Sequence, residues 1–231
     1  MIGCLVIHGY TGGPYEVDPL VRYLKENTDW HIEVPTLPGH GRKLALENAS
    51  HKEWLETAED KLKQMQGKFE KIYMIGFSMG GMIASYLAAK HPTDKLVLLA
   101  PAGKYLSIRQ MAKDLRDAVK DGFKGRLREN KLYLNYKRKL GEVPLKANIE
   151  FLKLVRFTRR YLKELDLPVL IAQGQQDGMV PYKTVYYLDK EITSDQTEVV
   201  FFERSRHLIC LGDDKDTLNH LIHEFLLKSP G

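Results

Sequence analysis

Residues 76–80 read Gly-Phe-Ser-Met-Gly, a GxSxG pentad that follows the apolar run 72–75 and precedes a helical stretch of small residues, 81–90. A strand turning abruptly into a helix strains its corner residue, and glycines two positions to either side let neighbouring chains pass closely. The corner residue, Ser78, then exposes its hydroxyl where the helix start aims unpaired N–H groups and its positive dipole end. The chemistry this suits is attack of a serine oxygen on a carbonyl carbon, with the oxyanion received by those donors. A bare GxSxG recurs by chance. The strand before it and the helix after it distinguish this one from a serine that merely tolerates a turn.

A serine hydroxyl is a weak nucleophile until a base takes its proton, so a histidine and an orienting carboxylate must arrive from elsewhere in the chain. Of the 8 histidines, His207 lies between the last apolar run and the final helical pattern, in a loop expected at the carboxyl end of a strand. His220 and His223 fall inside that final helix, His51 and His91 near helix ends, and His31 at a strand start, all places where packing or solvent explains a histidine. His8 and His40 sit in glycine-flanked loops but precede the serine. For the carboxylate, Asp177 stands in the loop Gly174-Gln175-Gln176-Asp177-Gly178, again after an apolar run. Asp213 and Asp214 are weaker rivals because helix capping accounts for them, and Asp166 reads as a turn residue.

Two preorganised donors are needed for the oxyanion. The backbone N–H of Met79 is one candidate. The Tyr10 N–H, in the loop His8-Gly9-Tyr10-Thr11-Gly12-Gly13, is the other, against the plainer reading that these glycines only reverse the chain. Losing one such donor costs ~3 kcal/mol of transition-state stabilisation. A dinucleotide reading is poor, since no GxGxxG occurs and no acidic residue ends a second strand in the required place.

The elements that must position these groups follow from apolar spacing. Strands are expected over 3–8, 31–35, 71–75, 95–100, 168–173 and 198–202, and helices over 17–27, 51–66, 79–90, 182–191 and 214–227. The strands are apolar on consecutive residues, as in a parallel sheet buried on both faces. Alternation of strand and helix predicts an α/β sandwich. Residues 103–165 break the rhythm. They carry 18 Lys+Arg against 7 Asp+Glu, a balance of +11 within a chain of net charge +5, and read as helices without a strand. Ile108, Met111, Leu115 and Ala118 form one expected stripe, and Leu145, Ile149, Leu152 and Leu162 another. The expected organisation is a core of residues 1–102 and 166–231 with 103–165 as a helical cap, one domain overall. Solvated amphipathic helices account for the basic surplus. Weak contact with an anionic lipid surface is the alternative, and no nucleic-acid signature accompanies the charge.

The 231 residues, 43% hydrophobic and 28% charged, are enough for a real core without disulfides. The two cysteines lie at opposite ends of the chain, no signal-peptide or spanning pattern is present, and a cytoplasmic address is expected. No cofactor or metal site is expected.

Together His8-Gly9-Tyr10-Thr11-Gly12, Pro38-Gly39-His40-Gly41, the 76–80 pentad, Asp177 and His207 resemble the α/β-hydrolase superfamily, and more closely the small bacterial carboxylesterases and monoacylglycerol lipases. The run from Phe202 to Ile209, with Asp214 and Lys215, strengthens the likeness. The resemblance implies a mostly parallel sheet of about six strands, the two leading strands of the full fold being missing, flanked by helices and carrying a helical cap. It implies Ser78, Asp177 and His207 as a catalytic triad, Tyr10 and Met79 as oxyanion donors, and no metal or organic cofactor. Arg206 departs from the pattern, standing where relatives often have glycine before the histidine. The activity implied is cleavage of carboxylic esters with short to medium acyl chains through an acyl-enzyme. A thioesterase or other C–X hydrolase, and a non-catalytic ligand-binding protein on the same fold, are the rival readings.

Overall fold

The computed structural model describes residues 1–103 and 143–228. Six strands form one sheet, β1 (Ile2–Ile7), β2 (His31–Glu33), β3 (Lys71–Phe77), β4 (Lys95–Leu99), β5 (Val169–Gly174) and β6 (Thr197–Phe202), all neighbouring pairs parallel and in the order β2-β1-β3-β4-β5-β6. The helices are α1 (Asp18–Asn27), α2 (His51–Met65), α3 (Met79–Lys90), α4 (Leu145–Thr158), α5 (Thr184–Glu191) and α6 (Lys215–Leu227).

Consecutive apolar residues serve two cores at once, because successive strand side chains point to opposite faces. Leu5, Ile7, Met74, Leu96, Leu98 and Ile171 face α2, α3, α4 and α5 in one core. Cys4, Val6, Ile75, Val97, Leu99 and Leu170 face α1 and α6 in the other. Parallel strands sandwiched this way need no polar alternation, which is why the sequence shows none. The strand β2 is shorter than the expected 31–35, since Pro35 has no N–H for a ladder. The helix α2 starts on a capping box, Ser50 accepting from Glu53 N while Glu53 Oε2 accepts from Ser50 N at 2.8 Å.

The direction in which successive strands are added reverses at β1, with β2 on one side of it and β3 on the other, so the carboxyl ends of β1 and β3 open onto a topological switch point. Such crevices are where open α/β sheets hold their sites.

The stripe Ile108, Met111, Leu115 and Ala118, with most of the basic surplus, lies outside the described residues. The second stripe is corrected. Leu145 is 64% exposed and Ile149 is exposed too, Leu152 is half-buried, and Leu162 is buried in the 3-10 turn Arg159–Glu164. The buried face of α4 is Ala147, Phe151, Leu154, Val155 and Thr158. Spacings of three and four define both stripes. The packing partners chose between them, since Phe151 stacks on Tyr10 with ring centres 4.7 Å apart and Glu150 meets His51.

Candidate active site

Ser78 follows β3 directly and occupies the N-cap position of α3 with φ 54° and ψ −114°, the strain anticipated for the corner of the pentad. Its backbone is pinned on both sides, Ser78 N donating to Leu99 O at 2.8 Å and Ser78 O accepting from Ala102 N at 3.2 Å. The flanking glycines permit contact that no side chain would survive. A Cβ on Gly80 would lie 2.2 Å from Ile7 O, and one on Gly76 2.3 Å from Gly80 O. The amino end of α3 therefore sits directly against the end of β1 and the loop that carries Tyr10.

The structure brings three of the expected side chains together. His207 Nε2 lies 3.0 Å from Ser78 Oγ, and His207 Nδ1 lies 2.8 Å from Asp177 Oδ2. All three are buried, at 6%, 4% and 7% exposure for Ser78, His207 and Asp177. Asp177 follows β5 and His207 follows β6, so adjacent strands deliver the pair from the same sheet edge. The Asp177 carboxylate is fully engaged. Oδ1 accepts from Met179 N at 2.8 Å and Val180 N at 2.9 Å, and Oδ2 also accepts from Gln173 Nε2 at 2.9 Å. With an acceptor at Nδ1, the imidazole carries its proton there and leaves Nε2 free to accept from the serine hydroxyl. Such an arrangement can withdraw a proton from Ser78 and return it to a leaving group.

Met79 opens α3, so its N–H belongs to the helix start that lacks a carbonyl four residues back. Tyr10 is 6% exposed in the loop after β1. Its ring stacks on Phe151, and its hydroxyl donates to Asn148 Oδ1 at 3.1 Å, both on α4.

The remaining histidines are occupied elsewhere. His31, His51 and His91 meet Glu33, Glu150 and Glu59, and His220 meets Tyr23. His8 is fully buried, its Nε2 accepting from Leu37 N at 3.1 Å and its Nδ1 facing Gly9 O. Burial pushes its imidazole down to about 4, so it is a neutral strut between two loops. His40 is held down to about 3, by burial first and by His8 second.

Three residues acquire roles that the sequence did not reveal. Asp214 occupies the N-cap position of α6, yet its side chain makes no cap bond. Its Oδ2 instead accepts from Ser205 Oγ at 2.8 Å, bracing the loop that presents His207, so capping is not what accounts for it. Gln173 is the one polar side chain of β5, directly after the apolar run Val-Leu-Ile-Ala, which was the available signal for its contact with Asp177. Glu16, 2% exposed, accepts from Gly9 N at 3.0 Å beneath the Tyr10 loop. Among the described residues, no three His, Cys, Asp or Glu side chains cluster as metal ligands would. Nor is any described helix long and apolar enough to cross a membrane.

A parallel sheet with a strained serine at the switch point defines a class, and comparison of sequences agrees. A family model described as alpha/beta hydrolase fold matches residues 5–156, and the chain belongs to that family. It is similar to the thermostable monoacylglycerol lipase of Bacillus sp. (strain H-257), 25% identical over 241 residues that span 100% of this chain and 92% of the relative. It is similar also to a carboxylesterase of Bacillus subtilis (strain 168), 22% identical over 97% of this chain and 92% of the relative. Among solved structures, one from work on the metagenome-derived lipolytic enzymes LipS and LipT superposes with a TM-score of 0.79. It covers 99% of this chain and 94% of its own at 19% identity, a likeness of fold.

Proposed function

We propose that the chain is a serine hydrolase of carboxylic esters with short to medium acyl chains, working through an acyl-enzyme. The observation that carries this reading is the continuous hydrogen-bonded line from Asp177 through His207 to Ser78. Ser78 Oγ attacks the ester carbonyl as His207 Nε2 takes its proton. Asp177, already holding Nδ1–H, stabilises the imidazolium without accepting the proton. The tetrahedral oxyanion points at the N–H groups of Met79 and Tyr10. Collapse expels the alcohol, which leaves with the proton from His207, and water activated by the same histidine then hydrolyses the acyl-enzyme. No metal or organic cofactor is required for any step. The names of the Bacillus relatives, a monoacylglycerol lipase and a carboxylesterase, support an ester as the substrate.

The test is labelling with a fluorophosphonate followed by a chain-length series of aryl esters that includes glycerol monoesters and one thioester. Modification that vanishes in Ser78→Ala, with activity greatest at short or medium acyl length, supports the reading. Folded protein that resists the label favours a binding role. Rates that climb steadily with chain length and jump at a lipid interface point to a true lipase, and a preference for the thioester to a thioesterase.

A further inference from the structure

We infer that the buried carboxylate of Glu16 is a positioning residue for the Tyr10 oxyanion donor, an inference that rests on the acyl-transfer reading above. Glu16 ends the short 3-10 turn Pro14–Glu16, and the loop between β1 and that turn wraps its carboxylate. Oε2 accepts from Gly9 N at 3.0 Å, so the residue just before Tyr10 is fixed by it. On the other side, a Cβ added at Gly12 would lie 1.9 Å from both Cδ and Oε2 of Glu16. Gly12 has no left-handed φ to demand glycine, so the carboxylate itself is the reason for glycine there.

Between these two contacts stands Thr11 with φ 62°, a conformation that a β-branched residue holds only where surroundings impose it. Its side chain is fully buried and Thr11 Oγ1 has no hydrogen-bond partner, so the hydroxyl does not impose it. The imposition comes from outside, through the Glu16 contacts at Gly9 and Gly12 and through Gly41 N, which donates to Gly12 O at 2.8 Å. Tyr10 lies in the middle of this clamp. Its N–H lies in the Gly9–Tyr10 peptide, whose carbonyl faces His8 Nδ1 at 2.9 Å, and Glu16 fixes the adjoining Gly9 N–H while the strained Thr11 bounds the other side. An oxyanion donor acts only over a narrow range of position, and a misplacement of ~1 Å costs on the order of 100-fold in rate. A carboxylate buried under a loop, with its oxygen satisfied by that loop's backbone, is what such tolerance demands.

The experiment compares wild type with Glu16→Gln, Glu16→Asp, Glu16→Ala and Gly12→Ala. Each is measured for kcat and KM on a short aryl ester, for affinity of an aryl boronic acid that forms a tetrahedral adduct on serine, and for melting temperature. Glu16→Gln keeps an oxygen of the right reach and retains kcat within about fivefold. Glu16→Asp and Glu16→Ala withdraw the acceptor, and Gly12→Ala expels it. In these three kcat falls about 10–100-fold with KM within about threefold, and boronate affinity falls in step with kcat/KM. If Glu16→Ala or Gly12→Ala does not fold, the order of Gln over Asp decides. Equal kcat in Asp and wild type, or a Gln variant as slow as Asp, overturns the inference. So do variants that lose melting temperature while kcat and boronate affinity hold. A wild-type protein inert to esters and to fluorophosphonate would instead sink the underlying hydrolase reading, a separate and recognisable result.

Discussion

Asp177 places Oδ2 2.8 Å from His207 Nδ1 and turns Oδ1 to the backbone N–H groups of Met179 and Val180. Four donors thus converge on one buried carboxylate, counting Gln173, and its orientation is set without help from substrate. Replacing Asp177 by Asn keeps the shape but lets an amide donate where an acceptor stood, which favours the imidazole tautomer with its proton on Nε2. We expect kcat to fall about 10⁴-fold with KM little changed. Steady-state kinetics at neutral pH check this, and a loss under tenfold would remove Asp177 from the mechanism.

In the proposed mechanism Tyr10 acts through its backbone N–H, whereas its hydroxyl ties the loop to Asn148 on α4. Tyr10→Phe therefore retains kcat within about fivefold while losing about 1 kcal/mol of stability with the hydrogen bond. Urea unfolding and ester kinetics on the same variant separate the two effects. A hundredfold loss of kcat would mean that the phenol itself takes part in the chemistry.

The strain at Thr11 offers a third check. Glycine at this position adopts φ near 60° freely, so Thr11→Gly relieves strain of order 1–3 kcal/mol while admitting about 0.5–1 kcal/mol of extra chain entropy on unfolding. Stability should hold or rise, and kcat should drop several-fold as the loop gains freedom. Greater stability with full activity would show that the loop needs no strain to hold the donor.

His8 and His40 make folding sensitive to pH. Both imidazoles are held down by burial, to about 4 and about 3, while the unfolded chain takes up protons near the ordinary ~6.5. The unfolded state binds more protons between these values, so stability is full above pH ~6.5 and declines as pH falls toward ~4. Each histidine contributes a slope of about 1.4 kcal/mol per pH unit well inside that window. Urea unfolding at pH 7 and pH 5 should show the decline, and His40→Gln should remove roughly half of it. Identical unfolding free energies at the two pH values would contradict the burial argument.

Much of this was legible in the chain itself. The apolar runs specified strands buried on both faces, because a sandwiched parallel sheet asks nothing of the sequence but hydrophobicity over five or six residues. The pentad around Ser78 specified a strained corner, since only a strand–helix junction calls for glycines so placed. What the linear order could not settle was every choice among chemically equal candidates. Nothing local distinguishes the stripe containing Leu145 and Ile149 from the face of Ala147, Phe151 and Leu154, and the ring of Tyr10 selected the second. Asp214 reads as a helix cap until Ser205 is found beside it. Nothing near Glu16 in the chain announces that its carboxylate is buried under the loop after β1, accepting from Gly9 N. Periodicity and turn chemistry act between near neighbours along the chain and so are written into it. The partner that satisfies a buried polar group comes from a distant segment, and only the folded sheet brings the two within hydrogen-bonding reach.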